Sequence, residues 1–148
     1  MAAGPIIVDT NVIISGLLSQ DETSPVARVL NGMLTASFAF VLSERLLAEY
    51  RSVLPRPRLA AAHGLTLHQI DALLDKLLRQ CVELNPAASS GPVAPDREDQ
   101  MLWDLLGARA DLRLVTGDRR LLEDFAMRGR VISPRELVDA APSQSRLR

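Results

Sequence analysis

The sequence predicts a three-layer α/β/α domain built on a parallel sheet of about five strands. Three observations lead there. Short apolar runs at 6–8, 36–43, 81–84, 112–116 and 130–133 alternate with longer stretches of helical periodicity. The first run, Ile6, Ile7 and Val8, has no polar alternation, which suits a strand buried on both faces of a parallel sheet. Two of the runs lead into acids, Asp9 directly and Asp118 after Gly117. In open α/β sheets the crevice beyond the carboxyl ends of the strands is where ligands bind.

Taken in order, Asp9 serves either as the cap of the segment that follows or as a site acid. After Asn11 the chain stays apolar to Gly16 and then enters a polar loop at 19–25. Ser24 caps, and Pro25 opens, a helix over about 25–34 with Val26, Val29, Leu30 and Met33 on one face. Residues 36–43 read as the second buried strand. Ser43 caps the next helix, whose apolar stripe is Leu46, Leu47, Tyr50, Val53 and Leu54, with Glu49 at its border. That helix ends at Pro55, and 55–58 reads as a turn carrying two arginines. A helix at 66–80 places Leu67, Ile70, Leu73, Leu74, Leu77 and Leu78 in register, and 81–84 reads as a short strand. Residues 85–95, rich in Pro, Ser, Ala and Gly, read as a surface loop. The next helix has Leu102, Trp103, Leu106 and Ala110 on its apolar face. The strand at 112–116, a helix beginning with Leu121, Leu122 and Phe125, a last strand at 130–133 and a helical turn or two at 136–140 complete the pattern. The expectation is one domain over 1–148, with its core at about 5–140 and a frayed tail at 141–148.

Composition narrows the class. Hydrophobic residues make up 47% of the 148, which excludes a disordered chain, yet no apolar run is long enough to span a bilayer. The N-terminus enters a core strand almost at once, so a cytoplasmic protein without a signal peptide is expected. Cys81 is the only cysteine; it excludes an intrachain disulfide, argues against structural zinc and reads as a buried small hydrophobe. His63, in a loop, and His68, on the polar side of a helix, have no ligand partner in sequence and read as solvated. The net charge of −1 gives no global pull toward nucleic acid. Lys76 is the only lysine, so the positive charge is nearly all arginine, the side chain suited to bidentate phosphate contacts.

Asp99 projects into the middle of the apolar face of its helix. A carboxylate there is costly unless it is paired, hydrogen-bonded or bound to a cation. The plain alternative is a capping arrangement with Asp96 as cap and Asp99 accepting first-turn N–H bonds. If the strands are parallel, Asp9, Asp118, Asp99 and Glu49 meet at one rim. Four such carboxylates raise one another's pKa, and a divalent cation resolves the conflict. Oxygen ligands without Cys or His select Mg²⁺ or Mn²⁺. Such a centre orients a phosphodiester and lowers the pKa of a bound water. The residues alone therefore point to metal-dependent phosphoryl-transfer or phosphodiester chemistry.

The order VDTN, SERLLAEY, DREDQMLWDLLGARAD and LVTGDRRLL resembles the PIN-domain ribonuclease family, and most of all its branch of toxins from toxin–antitoxin systems. The resemblance covers about 6–138. It implies strand order 3-2-1-4-5, an acidic site holding Mg²⁺ or Mn²⁺, and metal-dependent cleavage of RNA. It implies catalytic and metal-binding roles for Asp9, Glu49, Asp99 and Asp118, an auxiliary role for Asp96, and for Asn11 and Thr116 a place lining the site. The run usually written DPDDN reads DREDQ here, with Arg97 for proline and Gln100 for asparagine, which changes the approach to Asp99. A cognate antitoxin inserting a basic side chain toward the acids is also implied. So is a homodimer, for which apolar residues of the first two helices would serve.

Arg51, Arg56, Arg58, Arg119 and Arg120 lie near the expected rim and are candidates for RNA phosphates. Aromatics are only 3%, so recognition through RNA shape is expected over base stacking. A haloacid-dehalogenase-type phosphatase needs a second acid where Asn11 stands, and a receiver domain needs a lysine that Lys76 does not supply. The competing reading from another class is a catalytically silent PIN-fold binding module, which binds metal without turnover.

Overall fold

All three residues of β1 (Ile6–Val8) are buried, as a central parallel strand requires. The computed structural model describes residues 4–87 and 91–140; the expected tail and the middle of the 85–95 loop lie outside them. β1 pairs in parallel with β4 (Arg113–Val115), and β4 in parallel with β5 (Val131–Ile132). On the other side, β2 (Val41–Leu42) pairs in parallel with β3 (Val82–Glu83). One parallel bridge, Ile6 to Phe40, joins the two ladders, and the Ile6 N–H donates to the Ala39 carbonyl at 3.1 Å. The α/β parallel architecture is as expected, with a correction in detail. The continuous 3-2-1-4-5 sheet is instead two ladders, β1-β4-β5 and β2-β3, in contact through that bridge.

The split has a local cause. α1 (Thr10–Leu18) and α2 (Pro25–Leu34) follow β1, and the Ser24 hydroxyl caps α2 by accepting from the Ala27 N–H at 3.3 Å. Beyond α2 the chain does not extend at once. Ala36 adopts φ 57, and the Phe38 ring lies where a side chain on Gly32 would project. Extended pairing therefore starts only at Phe40, not at residue 36.

α3 (Glu44–Val53) is capped by Ser43, whose hydroxyl accepts from the Leu46 N–H at 3.0 Å, and it buries Leu46, Tyr50 and Val53. The expected turn at 55–58 is corrected: α4 (Pro57–His63) begins inside it. Pro57 sits at the first helical position, where its missing N–H has no partner to lose. Gly64, at φ 71, closes α4 in the left-handed conformation that glycine adopts freely. His63 is thus helical and half-buried, not a solvated loop residue. Leu65 N–H donates to its Nδ1 at 2.9 Å, and its Nε2 bonds the Leu54 carbonyl at 2.8 Å.

α5 (Leu67–Gln80) opens with a reciprocal Thr66–Gln69 capping box and buries Ile70, Leu74 and Leu77. A 3-10 turn at Arg97–Asp99 leads into α6 (Gln100–Ala108), while α7 (Arg119–Leu122) and α8 (Pro134–Ala140) follow β4 and β5. Four expected core positions prove exposed, Leu78 among them at 37%. Leu67, the first residue of α5, is 69% exposed ahead of the packed face. Ala110 lies past the end of α6. Phe125 follows a helix of only four residues, so the projection from Leu121 no longer holds. It is 78% exposed, with the Arg128 guanidinium 4.7 Å from its ring centre. Cys81 is half-buried against the core, its thiol donating to the Leu78 carbonyl at 3.2 Å. Among the described residues no helix is long and apolar enough to cross a membrane.

Candidate active site

The register pairs Val8 with Val115, so β1 and β4 end level and release Asp9 and Thr116 side by side. The Asp9 N–H still bonds the Val115 carbonyl at 3.0 Å. Asp9 occupies the N-cap position of α1, yet its side chain makes no cap bond. Its Oδ2 instead accepts from the Thr116 hydroxyl at 2.7 Å and from Asn11 Nδ2 at 3.3 Å. Asp99 occupies the N-cap position of α6 and likewise makes no cap bond. A cap bond contributes roughly 0.5–2 kcal/mol, so both carboxylates forgo a local gain.

Their neighbours behave differently. Asp118 caps α7, accepting from the Arg120 N–H at 2.9 Å, and Asp96 caps the 3-10 turn, accepting from the Glu98 N–H at 2.9 Å. The capping explanation holds for Asp96 and Asp118 and fails for Asp9 and Asp99. Thr116 ties the first set to the second. Its hydroxyl donates to Asp9 and accepts from the Asp118 N–H at 3.1 Å. Asn11 reaches the same loop, its Oδ1 accepting from the Gly117 N–H at 3.4 Å. Thr116 is fully buried. Thr116→Val removes both bonds and strands the Asp118 N–H, so a loss of about 1–3 kcal/mol in urea unfolding is expected.

Glu49 stands at the border of α3, as expected, and accepts from the Thr10 hydroxyl at 3.3 Å. It also lines an open hollow of about 410 Å³ with Arg45, Ala48, Glu98 and Met101. A second cavity of about 200 Å³, with Ser43, Asn85 and Asp104 in its walls, shares Arg45 and Met101 with the first.

The charges of the acids bear on one another. Burial raises the Asp9 carboxyl above its ordinary value; the Thr116 and Thr10 hydrogen bonds oppose this, and the charges of Asp118 and Glu49 add to it. Asp99 is pushed from 3.8 to about 6, first by burial and then by Asp9, Asp96 and Asp118, with Arg120 pulling the other way. The Tyr50 hydroxyl, fully buried, is held well above its usual value by desolvation, with Asp9 and Glu49 adding to the effect. Carboxylate oxygens without Cys or His are the donor chemistry of a hard divalent cation. As the side chains stand, no three acidic, His or Cys groups among the described residues are arranged to hold one ion.

The arginines divide. Arg120 lies 3.4 Å from Asp118 and 3.7 Å from Asp96, so it is committed to the acids before any phosphate arrives. Arg119 pairs loosely with Glu123 at 3.5 Å, and Arg51 with Asp71 at 2.7 Å, joining α3 to α5. Arg56 and Arg58 are exposed at the start of α4. Sequence reasoning did not single out Asp104, which is 5% exposed on α6 and accepts from Gln100 Nε2 at 3.1 Å, with Arg45 at 3.9 Å. The four-residue spacing of Gln100 and Asp104 on one helix face was the available signal.

The fold is a parallel α/β one with acids at the carboxyl ends of its strands, where open α/β sheets bind their ligands. The family model described as PIN domain matches residues 5–120, and the chain belongs to the PIN-domain family. PIN domains are in general nucleases and typically use divalent metals. A search of curated proteins finds no match to this chain.

Proposed function

We propose that this chain is a Mg²⁺- or Mn²⁺-dependent endoribonuclease acting in the cytoplasm as the toxin of a toxin–antitoxin pair. One observation carries the nuclease reading. Asp9 and Asp99 sit at helix-cap positions, do not cap, and are held above the ordinary carboxylate range. That is costly for a structural acid and useful for a ligand. Asp9, Glu49, Asp99 and Asp118 would hold the ion, which when bound supplies an activated water and charge neutralisation at the phosphodiester.

The rest of the work falls to the chain's own groups. Thr116 and Asn11 hold the Asp9 carboxylate against the β4 loop. Asp96 and Asp118 keep Arg120 at the edge of the acids, where it can meet a phosphate oxygen. His63 is engaged by Leu54 and Leu65 and supplies no base. The toxin role rests on the motif order that resembles that branch, and it brings a cognate antitoxin and a second copy of the chain as proposed partners. Of α1 and α2, Leu18 is the large apolar side chain left exposed among the described residues, at 37%.

The test is a mixed pool of single-stranded and stem-loop RNA incubated with Mg²⁺ or Mn²⁺, with EDTA controls. Cleavage that needs the metal supports the reading. Metal binding without cleavage favours the silent binding module instead. Co-expression with a small protein encoded beside this chain tests the toxin assignment, which fails if no such protein binds or inhibits.

A further inference from the structure

We infer that Tyr50 and Thr10 are positioning residues whose hydroxyls set the spacing between the strand end bearing Asp9 and the helix bearing Glu49. The inference deepens the nuclease reading and rests on it. Tyr50 is fully buried, so it touches no substrate. It follows Glu49 directly on α3, and its hydroxyl donates to the carbonyl of Val8, the residue before Asp9. One residue past Asp9, the Thr10 hydroxyl donates back to Glu49 Oε2 at 3.3 Å, and Thr10 is 5% exposed. Two bonds of opposite direction thus tie α3 to the residues on either side of Asp9, Val8 at the end of β1 and Thr10 at the start of α1, and bracket the Asp9–Glu49 pair.

The split sheet explains why a side chain performs this task. Alternate residues of a parallel strand bond to opposite neighbours. Ile6 bonds toward β2, through the Ala39 carbonyl, and Asp9 bonds toward β4, through the Val115 carbonyl. Val8 therefore faces the β2 side, where the bridging has already ended at Ile6 and Phe40. Its buried carbonyl needs a donor, and the Tyr50 hydroxyl supplies it. In doing so it pins α3 to the last residue of the strand.

The test compares RNA cleavage and the Mn²⁺ concentration for half-maximal rate in wild type, Tyr50→Phe, Thr10→Val and Thr10→Ser. Leu74→Val, a fully buried change on α5, serves as the stability-matched control. Tyr50→Phe keeps the ring in the core, and a fall in kcat of about tenfold to a hundredfold is expected, with KM within about twofold. Thr10→Val should show the same split and a higher Mn²⁺ requirement, while Thr10→Ser, which retains the hydroxyl, should match wild type. Leu74→Val should lose Tm without losing kcat. The inference is overturned if both hydroxyl-deleting variants keep wild-type kcat, or if Leu74→Val loses as much at equal Tm. A wild type that neither cleaves RNA nor responds to Mn²⁺ would remove the nuclease reading along with it. An active, Asp9-dependent wild type with silent variants would remove this inference alone.

Discussion

Asp9→Asn is expected to lower metal-dependent RNA cleavage on the order of a thousandfold while making the metal-free protein more stable at neutral pH. The first effect follows from position. Asp9 is the acid closest to the rigid strand, and Asp118, Glu49 and Asp99 all interact with its charge. The second follows from sign. Burial raises the folded-state pKa of Asp9, so ionisation costs stability above the unfolded-state value. The amide removes that cost, and its oxygen still accepts from the Thr116 hydroxyl. The gain should shrink as pH falls, because the wild-type carboxyl is then protonated too. Urea unfolding with EDTA at neutral and acidic pH checks this. An inactive variant that is also less stable would mark Asp9 as a packing residue.

Asp99 gives the second large effect, and its window is explicit. Its folded-state value of about 6 lies above the ordinary 3.8. Between these values the folded state binds more protons than the unfolded state, so wild-type stability without metal falls as pH rises from about 4 to about 6 and is level above. Asp99→Asn should remove the share of that slope that Asp99 contributes, leaving the share due to Asp9. Asp99 is only partly buried and solvent screens it, so the gain above pH 6 should be on the order of 1 kcal/mol rather than the full shift. With Mn²⁺ the order reverses. The ion must displace the proton, so its stabilisation of wild type should fade as pH drops through about 6, and Asp99→Asn should show little at any pH. Thermal melts across pH, with and without Mn²⁺, read both arms. A wild-type profile with no break near 6 would contradict the shared acidic space.

Much of this architecture was legible because the sequence states it redundantly. Ile6, Ile7 and Val8 have one solution, a buried strand, and both Ser24 and Ser43 cap the helices their positions announce. The strand-end positions of Asp9 and Asp118, with the helical positions of Asp99 and Glu49, suggested one rim, and the motif order pointed to the same four acids. What stayed hidden depends on tertiary contact. Helical projection placed Asp99 on the inner face but could not say that it declines to cap. Glu49 was visible as a border residue, but the Tyr50 and Thr10 bonds that hold its helix to β1 and to the first residue of α1 join positions far apart in the chain. α4 was missed because two prolines two residues apart suggest a turn, although the second is a good helix opener. Phe125 was misplaced because α7 ends before the periodicity reaches it. Arg120 looked like a free phosphate contact, and only the folded chain reveals its pairing with Asp96 and Asp118.

The central claim is that these carboxylates are held for a divalent cation. It is tested most directly by the signal of free Mn²⁺ in electron paramagnetic resonance during titration of the full chain, wild type beside Asp9→Asn and Asp99→Asn. The account expects wild type to remove Mn²⁺ from solution saturably, Mg²⁺ to compete, and each variant to bind at least about tenfold more weakly. Unchanged binding in both variants would place the ion elsewhere, and no binding by wild type would contradict the account.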